Sequence, residues 1–229
     1  MHGIILLLRY RDKSRFAEDN TMDFYEVINK RRTIRDFENA PIDDETIKRI
    51  IEAGMRAPSN DHMRDWHFIV VQNKDVVNKL IKKIPKKVSE KRLAFIMKSW
   101  KLQDECQQKM YCDAIPKQYQ MLINASCILI PLFKQERNLL QPKNLSALNA
   151  FASIWCCIEN IFLAITAEKY AYTLRVPLGD EQGYVKNVLN FPDEYVMPCY
   201  IAIGKPANDA IYNIQKPYIL EERIHINGW

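Results

Sequence analysis

Residues 28–37 read INKRRTIRDF, with three arginines and a lysine within six positions beside Thr33 and Asp36. Guanidinium forks match phosphate oxygens two at a time, and a threonine hydroxyl adds a further donor. The stretch therefore fits a phosphate grip. It equally fits a solvated helix end, because Lys and Arg suit the last turn of a helix. Nucleic acid is a poorer match, since no second basic stripe with interleaved aromatics follows. A second polar constellation, APSNDHMRDW, spans Ala57 to Trp66. Its Ser59, Asn60 and His62 can cap and turn the chain, or can hold a polar ligand. No HxH, HExxH or acidic partner stands at ligand spacing, so His62 does not mark a metal site. GxGxxG, a Walker-type loop and GxSxG are also absent from the sequence, which argues against a classical dinucleotide fold, a P-loop enzyme and an α/β hydrolase.

The elements that would carry these groups can be read from periodicity. Asp23 to Lys30 predicts a short helix, with Phe24, Val27 and Ile28 on one side. PIDDETIKRIIEAGMRAPS predicts a second, capped by Asp43 or Asp44 and stopped by Pro58. WHFIVVQ reads as a buried strand. Residues 75–84 read as a helix, 88–110 as a longer charged one and 114–125 as another. CILIPLF, 127–133, is a second buried strand, whose Pro131 suggests an end or edge. Residues 146–169 are the most apolar segment. Asn149, Ser153, Glu159 and Asn160 interrupt it, favouring a core helix over a membrane span. YAYTLRVPLGD gives a strand and loop, DEQGYVKNVLNF a short helix and VMPCYIAIGKP a third buried strand. The tail from Ala207 to Trp229 lacks periodicity and is expected to pack on a partner subunit. Helices and strands interleave around one sheet.

The 229 residues, 48% hydrophobic and 27% charged, fit a globular chain with a full core. The net charge of +5 is mild. Six cysteines show no CxxC spacing, and buried free thiols in a reducing cytoplasm are the plain reading. The apolar run Ile4 to Leu8 is shorter than a signal-peptide core, and residues 1–21 read as an extension preceding a domain over 22–229.

Taken together, RRTIR (Arg31 to Arg35) and APSNDHMRDWHFIVV (Ala57 to Val71), about 25 residues apart, resemble the nitroreductase family of flavoenzymes. IENIFLA, GKP at Gly204 to Pro206 and the closing LEERIHINGW extend the resemblance from Met22 to Trp229. It implies an α+β fold, an α/β sandwich. A central, mostly antiparallel sheet would be flanked by helices, with the C-terminal extension packing on a dimer partner. It also implies a homodimer with FMN at its interface, passing electrons from NADH or NADPH to nitroaromatic, quinone or related acceptors by a ping-pong route through flavin N5.

By match of position, Arg31, Arg32 and Thr33 would hold the phosphate and ribityl chain, and Arg35 the N1/O2 edge of the ring. A cation at that edge stabilises the negative charge of reduced flavin. Ser59, Asn60, His62 and Arg64 would reach over from the other subunit. Val176 or Leu178 would offer a backbone N–H to N5, since Pro177 has none. Gln215 and Lys216 occupy the place of a basic phosphate ligand. No protein nucleophile, metal, nucleic acid or membrane is implied. KYA (Lys169 to Ala171) replaces the family's glycine-rich turn. His62, Arg64 and Asp65 also depart from the usual loop. These departures leave open a flavin-binding or storage protein without turnover, or a specialised reduction such as dehalogenation.

Overall fold

A computed structural model describes residues 22–135 and 139–229. The proposed extension over residues 1–21 lies outside the described residues. Helices α1 (Phe24–Lys30), α2 (Asp44–Met55), α3 (Lys74–Leu80), α4 (Glu90–Ser99), α5 (Glu105–Ala114), α6 (Gln120–Ile123), α7 (Asn149–Ala167) and α8 (Glu181–Leu189) surround one sheet. Its strands are β1 (Trp66–Val71), β2 (Cys127–Lys134), β3 (Ala171–Arg175), β4 (Tyr195–Val196) and β5 (Tyr200–Gly204). The strands run β1-β2-β5-β3, with β4 also on β2, and every pairing is antiparallel. This is the α+β sandwich expected.

Strand β2 explains the two-layer build. All of its residues but Lys134 are buried, because both sheet faces are covered. Side chains alternate between faces. Ile128, Ile130 and Leu132 enter one core with Leu80, Met121, Leu122 and Val185 from α3, α6 and α8. Cys127, Leu129 and Phe133 enter the other with Ile47 and Ile50 of α2 and Ile154, Ile158 and Ile161 of α7. Helix α7 sinks one face into this second core. With the preceding turn it is long and apolar enough to cross a membrane, a property that buried core helices share.

Glycine lets α2 and α7 approach closely. A Cβ on Gly54 would lie 2.6 Å from Ile161 Cγ1 and 3.1 Å from Cys157 Sγ. Gly54→Val is therefore expected to destabilise the fold by about 1–3 kcal/mol through overpacking. The reading is a lowered urea midpoint at unchanged slope. An unmoved midpoint would mean that the helices part freely.

Several expectations need correction. Strand β1 is not fully buried: it is an edge strand, with only Trp66 and Val71 fully inside. Pro131 is at neither an end nor an edge. It lies inside β2, where pairing with β5 stops at Leu129 and pairing with β4 begins at Phe133. One flank of the strand is open there and demands no ladder bond. The long helix over 88–110 is two, because Asp104 caps a new start and Lys101 takes a left-handed φ of 51° between them. Of the 114–125 segment, Ala114 ends α5, and only Gln120–Ile123 forms a further helix. In α1, Val27 alone is buried, and Phe24 and Ile28 are exposed. The cysteines divide as well. Burial pushes the Cys127, Cys157 and Cys199 thiols up to about 12, while Cys112 and Cys156 are exposed.

Candidate functional site

The basic stretch is laid along the outer edge of β3. Ile34 N–H donates to the Tyr172 carbonyl at 3.0 Å, and Thr33 bridges Tyr172 in parallel register. Further on, Phe37 bridges Pro206. Ile34 and Phe37 are buried and anchor the segment. Its arginines then divide. Arg31 Nη1 donates to the Tyr172 hydroxyl at 2.6 Å, and its Nε lies 3.7 Å from Glu159 on α7. The Tyr172 ring stacks on Phe162 at 3.9 Å and 7°. Burial pushes the Tyr172 phenol up, and hydrogen bonding from Arg31 and Thr33 partly opposes it. Arg32 turns back to donate to the carbonyls of Asn29 and Arg31, as a helix-end residue does.

Arg35 turns toward α5. Its Nη1 lies 3.4 Å from Asp113 Oδ2, with both side chains nearly buried. Burial pulls the Arg35 guanidinium down, and Asp113 opposes that. Lys117 ties Asp113 (2.5 Å) to Asp36 (2.7 Å). Asp36 thus pairs with Lys117 and not with an adjacent arginine. The tail closes this cluster: Asn213 Nδ2 donates to Asp113 and Ile211 N–H to Asp36. The two cations and two carboxylates balance.

The second loop is strained and tightly held. Asp61, His62 and Arg64 have φ of 52°, 55° and 45°. Each such non-glycine residue costs about 1–3 kcal/mol and persists only where its surroundings impose it. Ser59 Oγ accepts from Arg64 N–H at 3.2 Å. Asn60 N–H donates to Ser153 Oγ at 2.9 Å, and Asn149 Nδ2 donates to Asn60 Oδ1 at 3.2 Å. Ser59, Asn60 and Arg64, with Trp66, Lys134 and Asn149, line a cavity of about 570 Å³; His62 is not among its lining residues. Asn149 and Ser153, which stood out in the sequence only as polar interruptions of an apolar helix, are what anchor this loop.

Leu178 N–H donates to Glu181 Oε2 at 3.1 Å, and the other Glu181 oxygen pairs with Arg175. Of the two N–H donors expected for N5, Leu178's is thus engaged within the chain, which leaves Val176's. Lys216 pairs with Asp104 at 2.6 Å, and Gln215 is exposed. Asp104 and Asp113 cap and close α5, so Lys216 and Arg35 attach about 13 Å apart along it. Among the described residues no cluster of metal-ligating groups exists.

One chain does not bring the two motifs together. Strands β3 and β1 are opposite edges of the sheet, three spacings or about 14 Å apart. They are also displaced lengthwise. Tyr172 aligns through Ile203 with Cys127, whereas Trp66 aligns with Phe133 at the far end of β2, about 20 Å away.

A family model described as "Nitroreductase family" matches residues 28–205. A putative NADH dehydrogenase/NAD(P)H nitroreductase of Methanothermobacter thermautotrophicus is 41% identical over 59 residues, covering 26% of this chain and 31% of that protein. Iodotyrosine deiodinase 1 of Sus scrofa is 36% identical over 72 residues, covering 31% of this chain and 24% of that one. The matches thus span about a third or less of these curated relatives. The crystal structure of an oxidised iodotyrosine deiodinase bound to FMN and 3-iodo-L-tyrosine superposes with a TM-score of 0.67 at 14% identity, covering 90% of this chain and 100% of that one. That likeness is one of fold.

Proposed function

Because the chain belongs to the nitroreductase family, we propose that it is an FMN-dependent oxidoreductase that works as a homodimer. It would take electrons from NADH or NADPH and deliver them to a nitroaromatic, quinone or related aromatic acceptor in a ping-pong sequence. The observation that carries this reading is the placement of the two motifs. An arginine pinned at one sheet edge and a strained polar loop at the opposite edge are two halves that a second copy of the chain can join.

The residues fit the group. Arg31 and Thr33 offer a guanidinium and a hydroxyl of the kind that holds a phosphate and ribityl chain. Ser59, Asn60 and Arg64 offer short polar contacts from the other copy. FMN, when bound, supplies hydride acceptance and release at its N5. This chain's residues supply position and charge. Glu181 occupies Leu178 N–H and so sets the course of the 176–178 loop. Arg35, the cation proposed for the N1/O2 edge of the ring, is already paired with Asp113.

That pairing favours a second reading. A cation partly neutralised by a carboxylate stabilises reduced flavin less, which suits a protein that holds flavin with little turnover. Titration with FMN, followed by NADH and NADPH oxidation against a panel of nitroaromatics, quinones and an iodinated phenol, separates the readings. Flavin binding with turnover is expected. Tight binding and silence across the panel would select the storage reading, and a protein that takes up no FMN would sink both.

A further inference from the structure

We propose that Tyr172 is a positioning residue whose buried hydroxyl presets Arg31 for the flavin phosphate. The inference rests on the FMN reading above. Tyr172 is 1% exposed, and its ring has no freedom, being stacked flat on Phe162. Its main chain fixes the backbone of the motif through the Ile34 N–H and the Thr33 bridge. Its side chain fixes the guanidinium through the bond to Nη1. One residue thus sets both the course of the segment and the direction of its first arginine.

Glu159 approaches the same guanidinium at Nε, 3.7 Å away. Neither contact uses Nη2, so the fork keeps donors for an anion while its plane is held. A free arginine loses rotamer entropy when it binds; one ordered beforehand loses less, and that difference appears as affinity. An apolar residue at 172 could form the same strand pairing through its main chain but would leave the guanidinium loose. The hydroxyl is therefore the part that bears on ligand binding.

The test compares FMN with riboflavin, which has the ring and the ribityl chain but no phosphate. Flavin fluorescence titrations would be run on the intact chain and on Tyr172→Phe, Arg31→Ala and the double variant. Tyr172→Phe keeps the stacked ring. It is expected to weaken FMN by about three- to tenfold, leave riboflavin unchanged, and have no further effect once Arg31 is Ala. Equal loss for both flavins, or an undiminished effect in the Arg31→Ala background, would overturn the positioning role. Equal binding of FMN and riboflavin by the unaltered chain would instead overturn the phosphate grip and the proposal with it. If Tyr172→Phe does not fold, Phe162→Leu frees the ring while keeping the hydroxyl. It is expected to reduce FMN binding alone, and an unchanged FMN affinity would count against the proposal.

Discussion

Arg31→Ala is expected to weaken FMN binding about ten- to a hundredfold, the worth of a charge-assisted contact of roughly 1.5–3 kcal/mol. The substitution removes the arginine that the fold holds through the Tyr172 hydroxyl with Nη2 unused. Arg32 has turned to the end of α1 and Arg35 to Asp113, so neither stands in for it without rearrangement. Folding is expected to weaken as well, because the buried Tyr172 hydroxyl loses its Arg31 donor, and a stranded buried hydroxyl costs about 1–3 kcal/mol. Glu159 is half exposed, and an exposed ion pair contributes about 0–1 kcal/mol. Arg31→Lys should recover only part of the affinity, because an ammonium is a point donor and cannot hold Tyr172 and a phosphate in one plane. Dissociation constants from fluorescence titration settle the matter. An Arg31→Ala protein that binds FMN as tightly as the parent would refute the phosphate role.

Glu181→Ala should be the most damaging single change to stability, at about 3–5 kcal/mol. Arg175 and Glu181 each have side chains only 7% exposed. Arg175 Nη1 also donates to Gln118 Oε1 at 2.8 Å. Removing the carboxylate strands a buried guanidinium and frees Leu178 N–H together. The paired replacement Arg175→Met with Glu181→Leu removes both charges, and a well-packed apolar pair of this kind is often neutral or stabilising. Urea denaturation of the single and double variants reads this directly. A loss below about 1 kcal/mol for Glu181→Ala would mean that water reaches Arg175 and the pair is not sealed.

The parts of the fold legible in the sequence were those set by local chemistry. Asp43 caps α2 as its position before an amphipathic run demands, and continuous apolar character marks β2 as covered on both faces. Asp23 likewise starts α1 by accepting from Tyr25 and Glu26. What stayed hidden depends on contacts far apart in the chain. WHFIVVQ is as apolar as a central strand, yet only the sheet order makes it an edge. A tyrosine at 172 reads as an ordinary strand residue until the Arg31 guanidinium is found 141 positions away in sequence. Asp113 sits near the end of α5 and Lys117 in the turn that follows it, neither of them conspicuous in the sequence. They matter because Arg35, Asp36 and the start of the tail converge there. For the site itself, the composition of the two motifs was visible and the resemblance implied that they serve from different subunits, but their placement at opposite sheet edges needed the strand order.

That separation has a thermodynamic consequence. If each subunit carries one half of a flavin site, cofactor uptake and subunit association are a single linked equilibrium. Free flavin then acts as a cross-linker that favours assembly, and dilution releases cofactor and partner together. The apparent affinity for FMN becomes a function of protein concentration, falling once the chains are too dilute to meet.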